Sequence, residues 1–388
     1  MRRSTDRILT THVGSLVRPP EIQDAMRKKT AGDPLPDESF APMLRNAVVG
    51  IVRRQAEAGV DVPSDGECSK INFAGYVSDR LSGFERRETP AGQSPIGNYG
   101  RDHKAFPDFY AEYDVAPSEG GRYRSVCAAP IRYVGQALVQ RDIDNLRAAT
   151  AAAGITEAFI PSVAPATIAG QRPNEYYKSD EEYLFAIAEA MREEYKAIVD
   201  SGFVLQIDDP RMVAQFDMMD PEPSLADYRR YAQVRVDAIN HAIQGLPADR
   251  IRYHLCWGSW HGPHTTDLPL RAVVDLVLQL KVGALSVEAA NARHEHEWMV
   301  WEDTKLPDGM ALVPGVVGHA ANTVEHPELV AWRIGNFARL VGRDNVIAGT
   351  DCGFSQGSLN PRVHPTIMWA KLEALAEGAA LASRKLWG

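Results

Sequence analysis

Residues 251–264 read IRYHLCWGSWHGPH, and the first six have the character of a β-strand, partly β-branched and closing on His254-Leu255-Cys256. Side chains alternate across a strand, so His254 and Cys256 share one face. Alone, the pair reads as a core histidine beside a buried free cysteine, because cysteine behaves as a small hydrophobe. Two metal-competent side chains at one strand end gain chemical meaning only if other strands end in further ligands.

Outward from this run, short β-rich segments alternate with amphipathic helices. The candidate strands are ILTTHV (8–13), VDVPSD (60–65), RSVCAAPIRYV (124–134), AFIPSV (158–163), FVLQID (203–208), IRYHLC (251–256), ALSVEA (284–289), ALVPGVV (311–317) and VIAGTDC (346–352). The clearest helix is SDEEYLFAIAEAMREEYKAIVDSG, with Ser179 as N-cap, acids in its first turn and Gly202 as the stop. EHPELVAWRIGNFARLVG (325–342) has Pro327 near its start and Gly342 at its end. Alternation of this kind predicts parallel strands with crossover helices, and the number of units predicts an α/β fold of the (β/α)8 TIM-barrel type. Nine runs are one too many. The spare is 124–134, expected to form a hairpin with part of the Gly-, Pro- and aromatic-rich stretch 86–124. That stretch exceeds a plain barrel loop, so an insertion over one mouth is expected near 86–134. The expected organisation is one barrel over 1–388.

The 388 residues are 45% hydrophobic and 24% charged, an ordinary globular composition. A net charge of −9 speaks against nucleic acid or an acidic membrane as partner. No apolar run approaches the roughly 20 residues of a membrane span, and the N-terminal arginines precede no signal-peptide core. A cytoplasmic location is expected. The four cysteines (Cys68, Cys127, Cys256 and Cys352) are far apart and form no CxxC, so each is a buried thiol or a ligand. No G-x-G-x-x-G or Walker pattern supports a doubly wound sheet.

Catalytic groups of barrels sit at the C-terminal strand ends. Here those ends carry His12-Val13-Gly14-Ser15, Asp65-Gly66-Glu67-Cys68, Asp208-Asp209-Pro210, His254 with Cys256, Glu288, His319 and Asp351-Cys352-Gly353. A structural barrel needs apolar layers rather than carboxylates, thiols and imidazoles on one rim. His254, Cys256, Glu288 and Cys352 form the sharpest subset, since two thiolates, an imidazole and a carboxylate suit zinc. The bland reading makes Glu288 a helix cap and Cys352 a core thiol. His261 and His264 are expected to be solvated loop residues, and His294 and His296 to lie on an exposed helix face.

These residues resemble the C-terminal catalytic barrel of cobalamin-independent methionine synthase. The likeness runs through THVGS, SDGE, LQIDDP, YHLC, SVEAA, PGVVGH and GTDCG in the family's order, and spans nearly the whole chain. Family members have two similar barrels, and this length fits the shorter single-barrel members, which include epoxyalkane–coenzyme M transferase-like proteins. The resemblance implies zinc on His254, Cys256, Glu288 and Cys352, and homocysteine on Ser15, Glu67 and Asp208. It maps a proton-donating histidine and its companion to His319 and Asn322, if one residue is deleted just before them. It also marks a departure. The tryptophan that full-length members place against the folate pterin is missing from PSVAPATIAGQRPNEYY, where Tyr176 or Tyr177 would have to stack instead.

The chemistry stands beside the likeness. An alkyl thiol with a pKa of roughly 8.5 offers little thiolate at neutral pH, and zinc removes its proton. A displaceable Glu288 would open a position for substrate sulfur. The zinc-bound thiolate would attack an electrophilic carbon, with His319 or a relayed water protonating the leaving group. Glu67 and Asp208 would pair with an ammonium and repel the sulfonate of coenzyme M. The expected function is zinc-dependent methyl transfer to a thiol, homocysteine giving methionine. The alternatives are a zinc-dependent alkyltransferase or lyase adding coenzyme M to an epoxide, and a non-catalytic zinc-binding barrel. Expected partners are a small-molecule thiol acceptor and a methyl or alkyl donor such as a corrinoid protein, with neither nucleic acid nor membrane. Self-association stays open.

Overall fold

A computed structural model describes residues 1–33, 35–89, 100–113, 123–258, 260–359 and 361–388. The strands are β1 (Leu9–Thr10), β2 (Leu81–Glu88), β3 (Tyr123–Tyr133), β4 (Phe159–Val163), β5 (Val204–Asp209), β6 (Ile251–Leu255), β7 (Ala284–Glu288), β8 (Ala311–Val317) and β9 (Ile347–Thr350). The helices are α1 (Pro20–Ala31), α2 (Asp37–Glu57), α3 (Arg101–Ala105), α4 (Pro107–Tyr113), α5 (Gln136–Ala153), α6 (Pro165–Gln171) and α7 (Asp180–Asp200). They continue with α8 (Arg211–Met218), α9 (Leu225–Ala242), α10 (Val274–Val277), α11 (Pro327–Val341) and α12 (Pro365–Trp387).

Seven strands pair in the order β1-β9-β8-β7-β6-β5-β4, all parallel. The eighth station is the 60–65 segment. It touches β1 through the parallel bridge Thr11↔Val62 and β4 through Ser64↔Phe159, and so closes a TIM barrel. It makes only bridges because Pro63 has no N–H for a ladder, although its carbonyl still accepts from the Phe159 N–H at 3.0 Å.

The hairpin forms, with a shifted partner. β3 pairs antiparallel with β2, whose first residue, Leu81, precedes the stretch expected to supply it. A register shift between Ser82 and Phe84 breaks the period-two pattern there. Gly83 takes φ 92° at that point, and a Cβ on it would strike the Ala129 and Pro130 carbonyls. The α3–α4 part of the insertion does reach the mouth. Asp102 accepts from His264 N (3.0 Å) and Thr265 N (2.9 Å) in the loop after β6, and its own N–H donates to Asp217 at 2.9 Å, near the end of α8. Residues 90–99 and 114–122 of the expected insertion lie outside the described residues.

Helix ends follow their chemistry. The Ser179 hydroxyl caps α7 by accepting from Glu182 N at 3.1 Å, and Gly202 follows its end at φ 92°. α7 buries Tyr183, Leu184, Ile187, Met191, Tyr195 and Ile198 against the barrel. Each such side chain contributes about 1.5–3 kcal/mol by leaving water.

Inside the barrel, alternate residues stack in layers. The lower layers are apolar, with Leu9, Ala284, Ala311, Val313 and Ile347 in one group and Val62, Phe159 and Val204 in another. Next come Gln206 and Arg252, and above them Asp208 and His254, which are register partners. The interior thus turns from apolar to polar toward the C-terminal strand ends. Among the described residues, no helix is long and apolar enough to cross a membrane.

Candidate metal centre

His254 projects from the end of β6, Cys256 follows one residue past that strand, and Cys352 sits two residues past β9. Their ligand atoms lie within 4.8 Å of one another, and all three residues are buried. The sulfurs of Cys256 and Cys352 are 3.5 Å apart. His254 Nδ1 is 3.2 Å from Ser286 Oγ, while its Nε2 is buried without a partner. A buried imidazole nitrogen normally finds a hydrogen bond, and one left bare beside two thiols is what a metal ligand looks like. The Cys256 thiol donates to the Cys352 sulfur. The hydrogen bond from Cys256, with help from His254, holds the Cys352 thiol well below its usual range, and the same bond raises Cys256. Two thiols and an imidazole suit a borderline-soft divalent ion.

Glu288, the fourth expected ligand, stands beside Cys256. It is buried at the end of β7 but lies outside the group of three. Its oxygens accept from Trp257 N (3.0 Å) and Asn291 Nδ2 (2.8 Å), which satisfy the carboxyl where it stands. Burial, and then Asp351, push its pKa well above the carboxylate range. Asp351 is tied to Ala289 N and Ala290 N at 2.8 Å each.

The same cleft carries the other expected residues. The cleft is open to solvent and is lined by Ser15, Glu67, Phe73, Asp208, His254, Cys256, Cys352 and Gln356 among others. Ser15 packs against Gly353, where a Cβ would strike its hydroxyl. Glu67 adopts φ 56°, a conformation that side chains rarely hold without cause. Its Oε1 lies 3.4 Å from Lys70 Nζ, its Oε2 lies 3.9 Å from Arg18, and that Oε2 has no hydrogen bond. Asp208 accepts from Gln206 at 2.6 Å, and burial followed by the Glu67 charge pushes it well above its ordinary pKa. Two buried carboxyls line one cleft, with Lys70 and Arg18 beside Glu67 but outside that lining, and together they can receive a positive group from the cleft.

The remaining expectations divide. His319 is buried, and neither ring nitrogen has a partner. Burial pushes it down to about 4, and the nearby Cys352 pulls the other way. Asn322 is exposed on the loop after β8 and does not line the cleft. Tyr176 is half exposed. The Tyr177 hydroxyl accepts from Ile131 N at 2.9 Å and its ring stacks on Tyr183, so neither tyrosine lines the cleft. His296 is exposed as expected, but His294 is buried, held by Asp267 and Glu297 at 3.0 Å each and stacked on Trp257. His261 is exposed, whereas His264 is half-buried and bonded to Asp267 at 2.9 Å. Sequence reasoning missed Lys70, Arg18, Asn291 and Phe73. Only the two buried cations had a signal, namely basic residues beside rim motifs.

His12 belongs to the rim by sequence but faces α2. Gly14 N donates to its Nδ1 at 3.1 Å, so its Nε2–H donates to Gln55 Oε1 at 2.6 Å. Burial pushes His12 down to about 3. An unfolded histidine titrates near 6.5, so the stability contributed by the neutral ring is complete above that value and lost as pH falls toward 3. Between pH 7 and 5, wild type should lose about 2 kcal/mol more than His12→Gln in urea unfolding. Equal losses would contradict the assignment.

Residues 164–364, just over half the chain and containing all three clustered ligands, match the family described as "Cobalamin-independent synthase, Catalytic domain". The chain belongs to this family. It is similar to the methionine synthase of Thermococcus kodakarensis, at 25% identity over 378 residues, 97% of this chain and 94% of that protein. The methionine synthase of Sulfolobus acidocaldarius is 28% identical over 262 residues, 67% of this chain and 65% of that protein. Among solved structures, a B12-independent methionine synthase from Shewanella superposes with a TM-score of 0.73 at 20% identity, covering 98% of this chain and 99% of that one. That likeness establishes the family's barrel for this chain.

Proposed function

We propose that the chain is a zinc-dependent S-methyltransferase that places a methyl group on homocysteine to give methionine. One observation carries this reading. A single cleft is lined by an imidazole with a bare nitrogen, two thiols and two buried carboxyls, those of Glu67 and Asp208. His254, Cys256 and Cys352 would hold the zinc, with Glu288 as a fourth, displaceable ligand. Zinc, when bound, would keep the acceptor sulfur as a thiolate at neutral pH. Glu67 and Asp208 would receive the acceptor's ammonium, and Ser15 would border its far end. His319, held neutral by burial, has an N–H and a lone pair and is suited to relay a proton to the leaving group.

The charge of the cleft favours an amino-thiol over a sulfonate-thiol. Its lining contains carboxylates but neither arginine nor lysine, while Arg18 and Lys70 stand behind Glu67. Zinc-loaded protein offered homocysteine or coenzyme M, each with methyl-tetrahydrofolate, methylcobalamin or an epoxide, tests this. Methionine is the expected product. A coenzyme M adduct, or zinc binding without consumption of any thiol, would overturn the reading.

The donor is expected to differ from a folate polyglutamate. The segment where full-length family members place a tryptophan presents no ring to the cleft, whose own aromatic residue is Phe73. A lost stacking face is worth roughly 0.5–1.5 kcal/mol beyond its area. A chain of net charge −9 also suits a polyglutamate tail poorly. Calorimetry should find methyl-tetrahydrofolate triglutamate binding weaker than about 100 μM, or about −5.5 kcal/mol. Turnover is expected from a different donor, such as a methyl-corrinoid or its carrier protein. Micromolar folate binding with fast methionine formation would refute this.

A further inference from the structure

One layer beneath the cleft, the barrel interior holds a charged residue that packing does not require. Gln206 on β5 and Arg252 on β6 are register partners, and both are buried. The Arg252 guanidinium gives all three of its nitrogens to neutral acceptors: Nε to Gln206 Oε1 at 2.7 Å, Nη1 to Thr11 Oγ1 at 2.9 Å and Nη2 to the His12 carbonyl at 2.7 Å. It lies 3.5 Å over the Phe159 ring, which fixes its plane from below.

A guanidinium only donates, so the Gln206 atom that faces it must be the amide oxygen. This settles the orientation of an amide that could otherwise turn over. Its nitrogen then points upward, and donates to Asp208 Oδ1 at 2.6 Å and to the Val13 carbonyl. Among the described residues, no hydrogen bond is made to Asp208 Oδ2. One oxygen of Asp208 is thus anchored from below while the other stays available to the cleft that the residue lines.

We infer that Arg252 and Gln206 are positioning residues that give the site its preference for an amine-bearing thiol. Arg252 locks the Gln206 amide, and the amide aims the free oxygen of Asp208 at the ammonium. This rests on the acceptor reading proposed above.

The test is calorimetric binding to the zinc-loaded protein of homocysteine and of 4-mercaptobutyrate, the same thiol acid without the amine. Gln206→Leu should reduce the preference for homocysteine at least about tenfold, the size of one hydrogen bond to a charged group, and change the affinity for 4-mercaptobutyrate less than about threefold. Arg252→Lys keeps a buried cation but loses the fork of donors, so the amide can turn over; the preference should fall at least about threefold. The double variant should lose no more than Gln206→Leu alone, because Arg252 acts on Asp208 only through Gln206. Equal weakening of both ligands, or a lower Tm with the preference intact, would mark a packing role and overturn the inference. Should Gln206→Leu not fold, Arg252→Lys decides alone, and an unchanged preference there overturns it. A wild-type protein without any preference for homocysteine would instead reject the acceptor reading, and the inference with it.

Discussion

Cys352→Ser should lower bound zinc from about one ion per chain to less than about a tenth, and kcat/KM at least about a thousandfold. Cys352 is one of only two sulfurs in the buried group of three, and the hydrogen bond from Cys256 already biases it toward the thiolate. A serine hydroxyl stays protonated at neutral pH and is a hard, weak donor, so the variant keeps one thiolate and one imidazole. Structural metal affinity scales steeply with the number of anionic ligands. Cys127→Ser is the control, because Cys127 is equally buried but sits on the hairpin, with its sulfur 3.6 Å from the Ala129 carbonyl. It should retain its zinc. Elemental analysis of the three proteins, purified alike, decides the matter, and undiminished metal in the Cys352 variant would reject the site.

Asp208→Asn should raise KM for homocysteine by about ten- to a hundredfold, the value of a charge-assisted hydrogen bond of roughly 1.5–3 kcal/mol. KM for 4-mercaptobutyrate should change by less than about threefold, since that thiol has no ammonium to lose. The same substitution should leave the fold as stable as before or more so. Burial, and then the Glu67 charge, push the Asp208 pKa up, and a neutral amide avoids both costs. Reduced binding in a protein of equal or higher Tm separates a binding role from a structural one. If both thiols weaken equally, Asp208 only holds the barrel mouth together.

Much of the site was legible because a barrel turns local pattern into global position. Period two places His254 and Cys256 on one face, and parallel strands deliver every C-terminal end to one rim. The same logic overreached at His12, which lies on the rim by sequence but turns toward Gln55 on α2. Asn322, which only the family resemblance implied, sits on an exposed loop whose conformation no periodicity specifies. His294 was taken for a surface residue because its neighbours are charged. One of them, Glu297, and the distant Asp267 are the partners that let it be buried.

By itself, the sequence determined the order of strands and helices, the barrel they close, and the residue types brought to its rim. Those depend on side-chain alternation, helix caps and breakers, which act over a few residues. Tertiary structure alone decided which rim residues meet. It brought His254, Cys256 and Cys352 within 4.8 Å, left Glu288 held by Trp257 and Asn291, and set Arg252 beneath Asp208 through Gln206. Those contacts depend on strand register and on which neighbour satisfies each buried donor or acceptor. Both are properties of several strands at once, so no local stretch of residues contains them.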